Sequence, residues 1–486
     1  MTEVAATSGT LRGVHEDGLD VFRGVRFARA ARFGPPDAVE PWTGVREATA
    51  FGPACPQGSR ARQGRASVFG GLFGPGELPT DEECLFLNVW TPGCDDARRP
   101  VLVWIHGGAF ALGTGASPIY DGSRLARRGD VVVVTLNYRV GPLGFSYLPQ
   151  DGGVNLGLQD QVAALRWVCD EVEHFGGNPD DVTIFGESAG GKSVECLLAM
   201  PSARGLFRKA ILQSTYDPPM DPENASERTR RLLGELGDAD IRTVPVDELL
   251  EAQARAAVAA MAGAPGGALA GTGPVVDGDV LPRLPLDTIA AGEAADVPLL
   301  IGTTADEFRL FAAMMGADLD DAALRERLAG LGVDPDRALD TYGRTLPERG
   351  LGTEPVDIFA AAMTDRMFRQ HSIRVAEAQL AHQPSTWMYL FDHASTAFGG
   401  RLRSCHALEL PFVFGTLDGP LAELVGSESV AARSLSDAMQ DAWLAFARTG
   451  KADWPAYDTG SRPTQVFGEG IQVAEDPLRA ERELWR

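Results

Sequence analysis

Val182-Thr183-Ile184-Phe185-Gly186-Glu187-Ser188-Ala189-Gly190-Gly191 is an apolar run ending in a G-x-S-x-G pentapeptide, followed by a helix-like stretch from Ser193 to Met200. A strand that reverses sharply into a helix can hold a serine at its apex only when the flanking residues are small, and Gly186 and Gly190 give that clearance. Read this way, Ser188 stands at the carboxyl edge of a parallel sheet, where a nucleophile belongs. A glycine-rich turn with an incidental serine would carry the same pentapeptide, but not the strand before it and the helix after it.

Working outward, Val101 to Ile105 and Val131 to Leu136 are near-continuous apolar runs, the signature of strands covered on both faces. A helix candidate at Ser123 to Arg128 separates them. Leu158, Val162, Leu165, Val168 and Val172 then recur at helical spacing until Gly176-Gly177-Asn178-Pro179 ends the pattern. Further strands are expected at Ala210 to Gln213, Val297 to Ile301 and Trp387 to Phe391. Alternating strand and helix predict a right-handed parallel α/β core. Residues 9 to 26, with glycines at turn positions, predict a small N-terminal antiparallel sheet. The whole chain, 1–486, reads as one α/β domain, with helix-rich insertions near 222–262 and 310–380 that would roof the nucleophile. The second region is preceded by a break at Gly263-Ala264-Pro265-Gly266-Gly267.

The 486 residues carry a formal net charge of -23, which disfavours nucleic acid and anionic membrane surfaces as partners. The first ten residues lack the basic and apolar segments of a secretory signal, and no run approaches the roughly 18 apolar residues of a membrane helix. A cytoplasmic location is the expectation. Six cysteines without paired C-x-x-C spacing argue against both a disulfide scaffold and a zinc site, and no metal or cofactor is required.

A serine hydroxyl needs a base within reach, an acid to orient that base, and donors for the oxyanion that forms. His106-Gly107-Gly108-Ala109-Phe110, directly after the strand ending at Ile105, supplies donors: backbone N–H groups at Gly107 and Gly108 can approach a substrate oxygen, and that of Ala189 adds a third. His106 itself reads as a histidine that fixes this loop. In this chain order the acid and then the base follow the serine, which leaves His371, His382, His393 and His406 as base candidates. His406 is favoured because it lies in a loop-like entry, Ser404 to Phe412, after the Trp387 strand. The acid is Asp306 or Glu307, both just beyond the strand ending at Ile301.

These motifs together resemble the type-B carboxylesterase family, α/β-hydrolases that include bacterial para-nitrobenzyl esterases and animal cholinesterases. The resemblance runs through Phe51 to Gln57, Glu83 to Pro92, Trp104 to Phe110, Asn137 to Gly141, Phe175 to Gly191, Pro274 to Gly278, His406 to Gly415 and Trp443 to Gly450. It implies an α/β-hydrolase fold, Ser188 as nucleophile, Glu307 as acid in preference to Asp306, and His406 as base. It further implies Gly107, Gly108 and Ala189 as the oxyanion hole, with Ser214 supporting the acid and Glu187 lining the site. Cys55 and Cys84 coincide with the half-cystines of a family disulfide, although free thiols are expected in a reducing compartment. The loop between them holds Phe69 and Phe73 but no tryptophan, which argues against choline esters and for neutral acyl or aryl esters.

Three residues depart from the family pattern: Phe308 after the acid, Thr215 in place of a usual glycine, and Lys192 in place of a small residue. Lys192 is expected to extend outward as solvated charge. The function implied is a serine carboxylesterase acting on short to medium acyl, aryl or alkyl esters, as a monomer or homodimer. A specialised hydrolase of a carbamate, lactone or natural-product ester is the alternative. A non-catalytic binding module on the same fold is disfavoured because every triad position is filled.

Overall fold

The computed structural model describes residues 1–58, 74–217, 220–261, 272–315, 319–426 and 429–486. Phe69, Phe73 and the Gly263 to Gly267 break lie outside the described residues.

Strands β1 (Thr2–Ala6), β2 (Gly9–Glu16) and β3 (Leu19–Arg26) form antiparallel pairs, with a short separate pair β4 (Ala28–Arg29) and β5 (Asp37–Ala38), while β6 (Val45–Glu47) lies beside β2. The chain then lays down β7 (Phe86–Thr91), β8 (Arg99–Ile105), β9 (Val132–Leu136), β10 (Gly177–Glu187), β11 (Lys209–Gln213), β12 (Leu299–Thr304), β13 (Thr386–Asp392), β14 (Pro463–Gly468) and β15 (Ile471–Glu475). All but β4 and β5 join one 13-stranded sheet, in the order β1-β2-β3-β7-β9-β8-β10-β11-β12-β13-β14-β15, with β6 off this path. From β9 to β14 every neighbour is parallel. The N-terminal antiparallel strands therefore continue the main sheet, through β3 on β7 and β7 on β9.

Alternation along the central strands explains their sequences. Val101, Val103 and Ile105 of β8 enter one hydrophobic core, and Leu102 and Trp104 enter the other; Ile184 and Phe185 of β10 divide the same way. Both faces are covered, so a strand of this kind is mostly apolar and reads as a near-continuous apolar run. Trp104 is the centre of the second core, with its ring 4.8 Å from Phe185 and 5.0 Å from both Tyr120 and Phe414. Helices Pro222–Leu236 and Val246–Met261 occupy the first stretch read as an insertion. Arg309–Met315, Asp321–Gly330, Pro335–Glu348, Pro355–Thr364 and Gln370–Leu380 occupy the second. The last two are joined by a π-helical turn, Asp365–Arg369. No helix among the described residues is long and apolar enough to cross a membrane.

Candidate active site

Strand β10 lies between β8 and β11, and its last residue, Glu187, leads directly into Ser188. The helix begins at once, Ala189–Ala199, several residues earlier than Ser193. The adjacent glycines masked that start, because glycine in a first turn carries no helical signal of its own. Ser188 sits at φ 56°, ψ -119°, a conformation costly for any residue with a side chain and held here by its surroundings. Its N–H donates to Gln213 O at 3.0 Å. The pentapeptide glycines are sterically compelled. A Cβ on Gly186 would lie 2.5 Å from Gly190 O, and one on Gly190 would lie 2.0 Å from Ile105 O.

Glu307 and His406 meet on the same side of the sheet. His406 Nδ1 lies 2.6 Å from Glu307 Oε2, and both groups are buried. The other oxygen, Glu307 Oε1, accepts from Ser214 Oγ at 2.6 Å and from Thr304 N–H at 2.8 Å, so the carboxylate is fixed at both ends. Asp306 is engaged elsewhere, pairing with Arg349 at 3.0 Å. His406 Nε2 faces Glu187 Oε1 at 3.1 Å, an ion-pair distance without hydrogen-bond geometry. The ring of His406 packs against both Phe311 and Phe368, with centroids 5.2 and 5.0 Å away. Phe368 reaches it from the π-helical turn. The remaining base candidates lie elsewhere: His382 Nε2 contacts Ala290 O, His393 Nε2 contacts Val425 O, and His371 belongs to a separate buried cluster.

The loop after β8 presses against the elbow. A Cβ on Gly107 would meet Glu187 O at 2.8 Å and Ser188 Cβ at 3.3 Å. Gly108, Ala109 and Phe110 all have positive φ, at 111°, 54° and 57°. No acceptor among the described residues takes the backbone N–H of Gly107, Gly108, Ala109 or Ala189. Ala109 is the residue the sequence reading passed over, because alanine gives no warning of a left-handed backbone. His106 holds the loop from behind. It is buried and stacked on Tyr138 at 4.4 Å, with Nδ1 2.8 Å from Gly107 O. Burial lowers its pKa to about 4.

Three buried carboxyls, Glu187, Glu307 and Glu409, surround His406. Burial, and then Glu307, push the Glu187 carboxyl well above the usual range. Glu409, also missed in the sequence, is raised to about 8 by burial and then by Glu187 and Glu307, and accepts from Gln213 Nε2 at 3.1 Å. Its signal lay three residues after His406, inside an otherwise apolar segment.

Lys192 corrects the sequence expectation. It is buried, 1 % exposed, and its Nζ lies 2.8 Å from Glu195 Oε2. One turn into a helix covered on all sides, a long cation has no path to solvent, so it needs a buried anion. Phe308 packs against Phe311 and Phe359, and its N–H donates to Thr364 Oγ1 at 3.0 Å. Cys55 and Cys84 are unbridged, buried thiols; a hydrogen bond to Cys55 and burial raise the Cys84 thiol. No cluster of metal-ligating residues occurs among the described residues.

The profile of the Carboxylesterase family matches residues 1–473. The chain is 38% identical to the para-nitrobenzyl esterase of Bacillus subtilis (strain 168), an alignment covering 99% of this chain and 97% of that protein. It is 37% identical to the phenmedipham hydrolase of Pseudarthrobacter oxydans, covering 97% and 96%. Among solved structures it is similar to the carboxylesterase EST55 of Geobacillus stearothermophilus at pH 6.2, with a TM-score of 0.85 and 39% identity over 100% of both chains.

Proposed function

The chain belongs to the carboxylesterase family and is a carboxylic ester hydrolase, and from that premise we propose that Ser188, His406 and Glu307 perform the reaction. His406 Nε2 takes the proton of Ser188 Oγ, and the alkoxide attacks the ester carbonyl. Glu307 keeps the imidazole in the tautomer that accepts at Nε2 and stabilises the imidazolium. The N–H groups of Gly107, Gly108 and Ala189, with that of Ala109 beside them, bind the oxyanion. The imidazolium then protonates the leaving alcohol, and water activated by His406 releases the acid from the acyl-enzyme. The observation carrying this reading is the 2.6 Å contact between Glu307 and His406, beside a serine held at positive φ on the elbow. In the free protein Nε2 faces Glu187. Serine–base hydrogen bonds commonly tighten only when substrate binds.

Neutral esters are the substrate class this site favours. Glu187, Glu307 and Glu409 crowd the base, a carboxyl-rich setting that disfavours an anionic acyl group. A specialised hydrolase of a carbamate, lactone or natural-product ester remains the second reading, favoured by the near-equal identity to relatives named for different substrates. We read the chain as one domain in the cytoplasm, acting as a monomer or homodimer.

The test is hydrolysis of para-nitrophenyl butyrate by the wild type and Ser188→Ala, with mass spectrometry after exposure to a serine-directed organophosphate. The expected result is a loss of several orders of magnitude in turnover and a single adduct on the Ser188 peptide. Retention of more than about a tenth of the activity, roughly 1.4 kcal/mol of barrier, would overturn the assignment.

A further inference from the structure

Glu195, two turns into the helix that starts at the elbow, is a common acceptor for three elements. Its Oε2 takes Lys192 Nζ at 2.8 Å, His371 Nε2 at 2.9 Å and Thr215 Oγ1 at 2.5 Å. Lys192 Nζ also lies 3.1 Å from His371 Nε2. Lys192 and Glu195 are each 1 % exposed, His371 is 2 % and Thr215 is 0 %. From His371 the cluster runs to Asp217, whose carboxylate holds Arg366 at 2.9 Å and Arg374 at 3.0 Å. Arg366 and Arg374 reach solvent, but Lys192, Glu195 and His371 do not; burying such charges is expensive, and an apolar filling of equal volume often stabilises a fold as well or better. Stability therefore does not account for the cluster.

Its placement does. Lys192 N–H donates to Ser188 O at 2.8 Å, so the first turn that holds the ammonium is also the turn that carries the serine. Thr215 follows Ser214, which holds Glu307, and Gln213, whose carbonyl accepts the Ser188 N–H. His371 and Arg366 flank Phe368, which lies against the His406 ring. Ser188, Ser214 on Glu307 and Phe368 against His406 are thus each one to four residues from a group tied to Glu195 or Asp217. Lys192 and Thr215, two departures from the family pattern, converge on one carboxylate oxygen.

We propose that Lys192, Glu195, Thr215 and His371 form a buried positioning cluster that fixes the elbow, the end of β11 and the π-helical turn in mutual register, so that Ser188, Glu307 and His406 align. None of the four touches substrate; each acts through the backbone of a neighbour. The inference rests on the triad reading above.

The test compares steady-state kinetics and thermal unfolding of the full-length chain for the wild type, Glu195→Gln, Thr215→Val and the triple apolar variant Lys192→Met/Glu195→Leu/His371→Leu, with Ser188→Ala as control. Thr215→Val removes one hydroxyl and keeps every charge. It is expected to lower kcat several-fold, leave KM within about twofold and barely move the unfolding midpoint, since small misplacements act on the transition state. Glu195→Gln is expected to lose about tenfold or more in kcat along with thermal stability. The triple variant is expected to regain the midpoint but not kcat. Full kcat in Thr215→Val, or a triple variant that recovers activity along with stability, would overturn the proposal by showing that the cluster only packs. Should the triple variant fail to fold, Thr215→Val alone decides. Activity in Ser188→Ala is a different failure, that of the triad itself.

Discussion

The two ring nitrogens of His406 face different carboxyls, and the environments of those carboxyls assign their roles. Glu307 accepts from Ser214 and Thr304, whereas Glu187 finds no hydrogen-bond donor among the described residues and its carboxyl is pushed well above the usual range by burial and then by Glu307. Glu409 follows the same logic with a value attached. Its folded pKa is about 8 against an ordinary 4.5, so between those values the folded chain binds a proton that the unfolded chain does not. A carboxyl raised in this way favours folding fully below about pH 4.5, and that contribution is lost as pH rises through about 8. Urea midpoints of the wild type are therefore expected to fall from pH 5 to pH 8 more steeply than those of Glu409→Gln, which has no proton to lose there. Parallel slopes would mean that Glu409 is ionised throughout and that Gln213 alone stabilises it.

At the level of single elements, the elbow makes the sharpest steric demand. A methyl on Gly190 would stand 2.0 Å from Ile105 O, a backbone atom in the centre of the sheet, so it can be relieved only by moving the helix away from β8. Gly190→Ala is accordingly expected to lose activity by about a hundredfold or more while far-UV circular dichroism stays close to wild type, because a misplacement of about 1 Å at the serine is enough. A fully active variant would show that the elbow shifts freely and that Ser188 is not held by it. This element was legible in the sequence because its demand is local: two glycines and a serine at fixed spacing, behind an apolar run. The doubly covered strands β8 and β9 were legible for the same reason. Strand β7, whose residues were noticed only as part of a motif, was not read as a strand because the buried polar Asn88 and Thr91 interrupt its apolar run, and the edge pair β14 and β15 was not read because edge strands lack an unbroken apolar run. The residues proposed as the triad were picked out through chain order and resemblance. The cluster around Glu195 was invisible because its members are up to 179 residues apart and no local pattern joins them. Lys192 was misread for that reason: a lone lysine in a sequence is best read as solvated, and only the fold shows that it is enclosed.

Across the whole molecule, 67 acidic residues face 44 basic ones, an excess of 23 that ion pairing cannot consume. Many arginines are already committed, as with Arg128 to Asp437 and Asp441, or Arg139 to the buried Asp160. Exposed pairs of the first kind contribute little, whereas the uncompensated carboxylates repel one another over the whole surface. The range of that repulsion is set by salt: the Debye length falls from about 30 Å at 0.01 M to about 8 Å at 0.15 M, shorter than the distance between most surface charges on a protein of this size. Screening weakens the attractive pairs as well, but they act at contact distance, where screening matters least. The expected outcome is an unfolding midpoint that rises with sodium chloride over this range and then flattens, measured by differential scanning calorimetry at neutral pH. At pH 5, where carboxylates begin to take up protons and the net charge shrinks, the salt dependence should be weaker. A midpoint that falls with added salt would instead mean that the arginine–carboxylate network outweighs the net charge, and that the acidic surface is organised by pairing rather than held apart by repulsion.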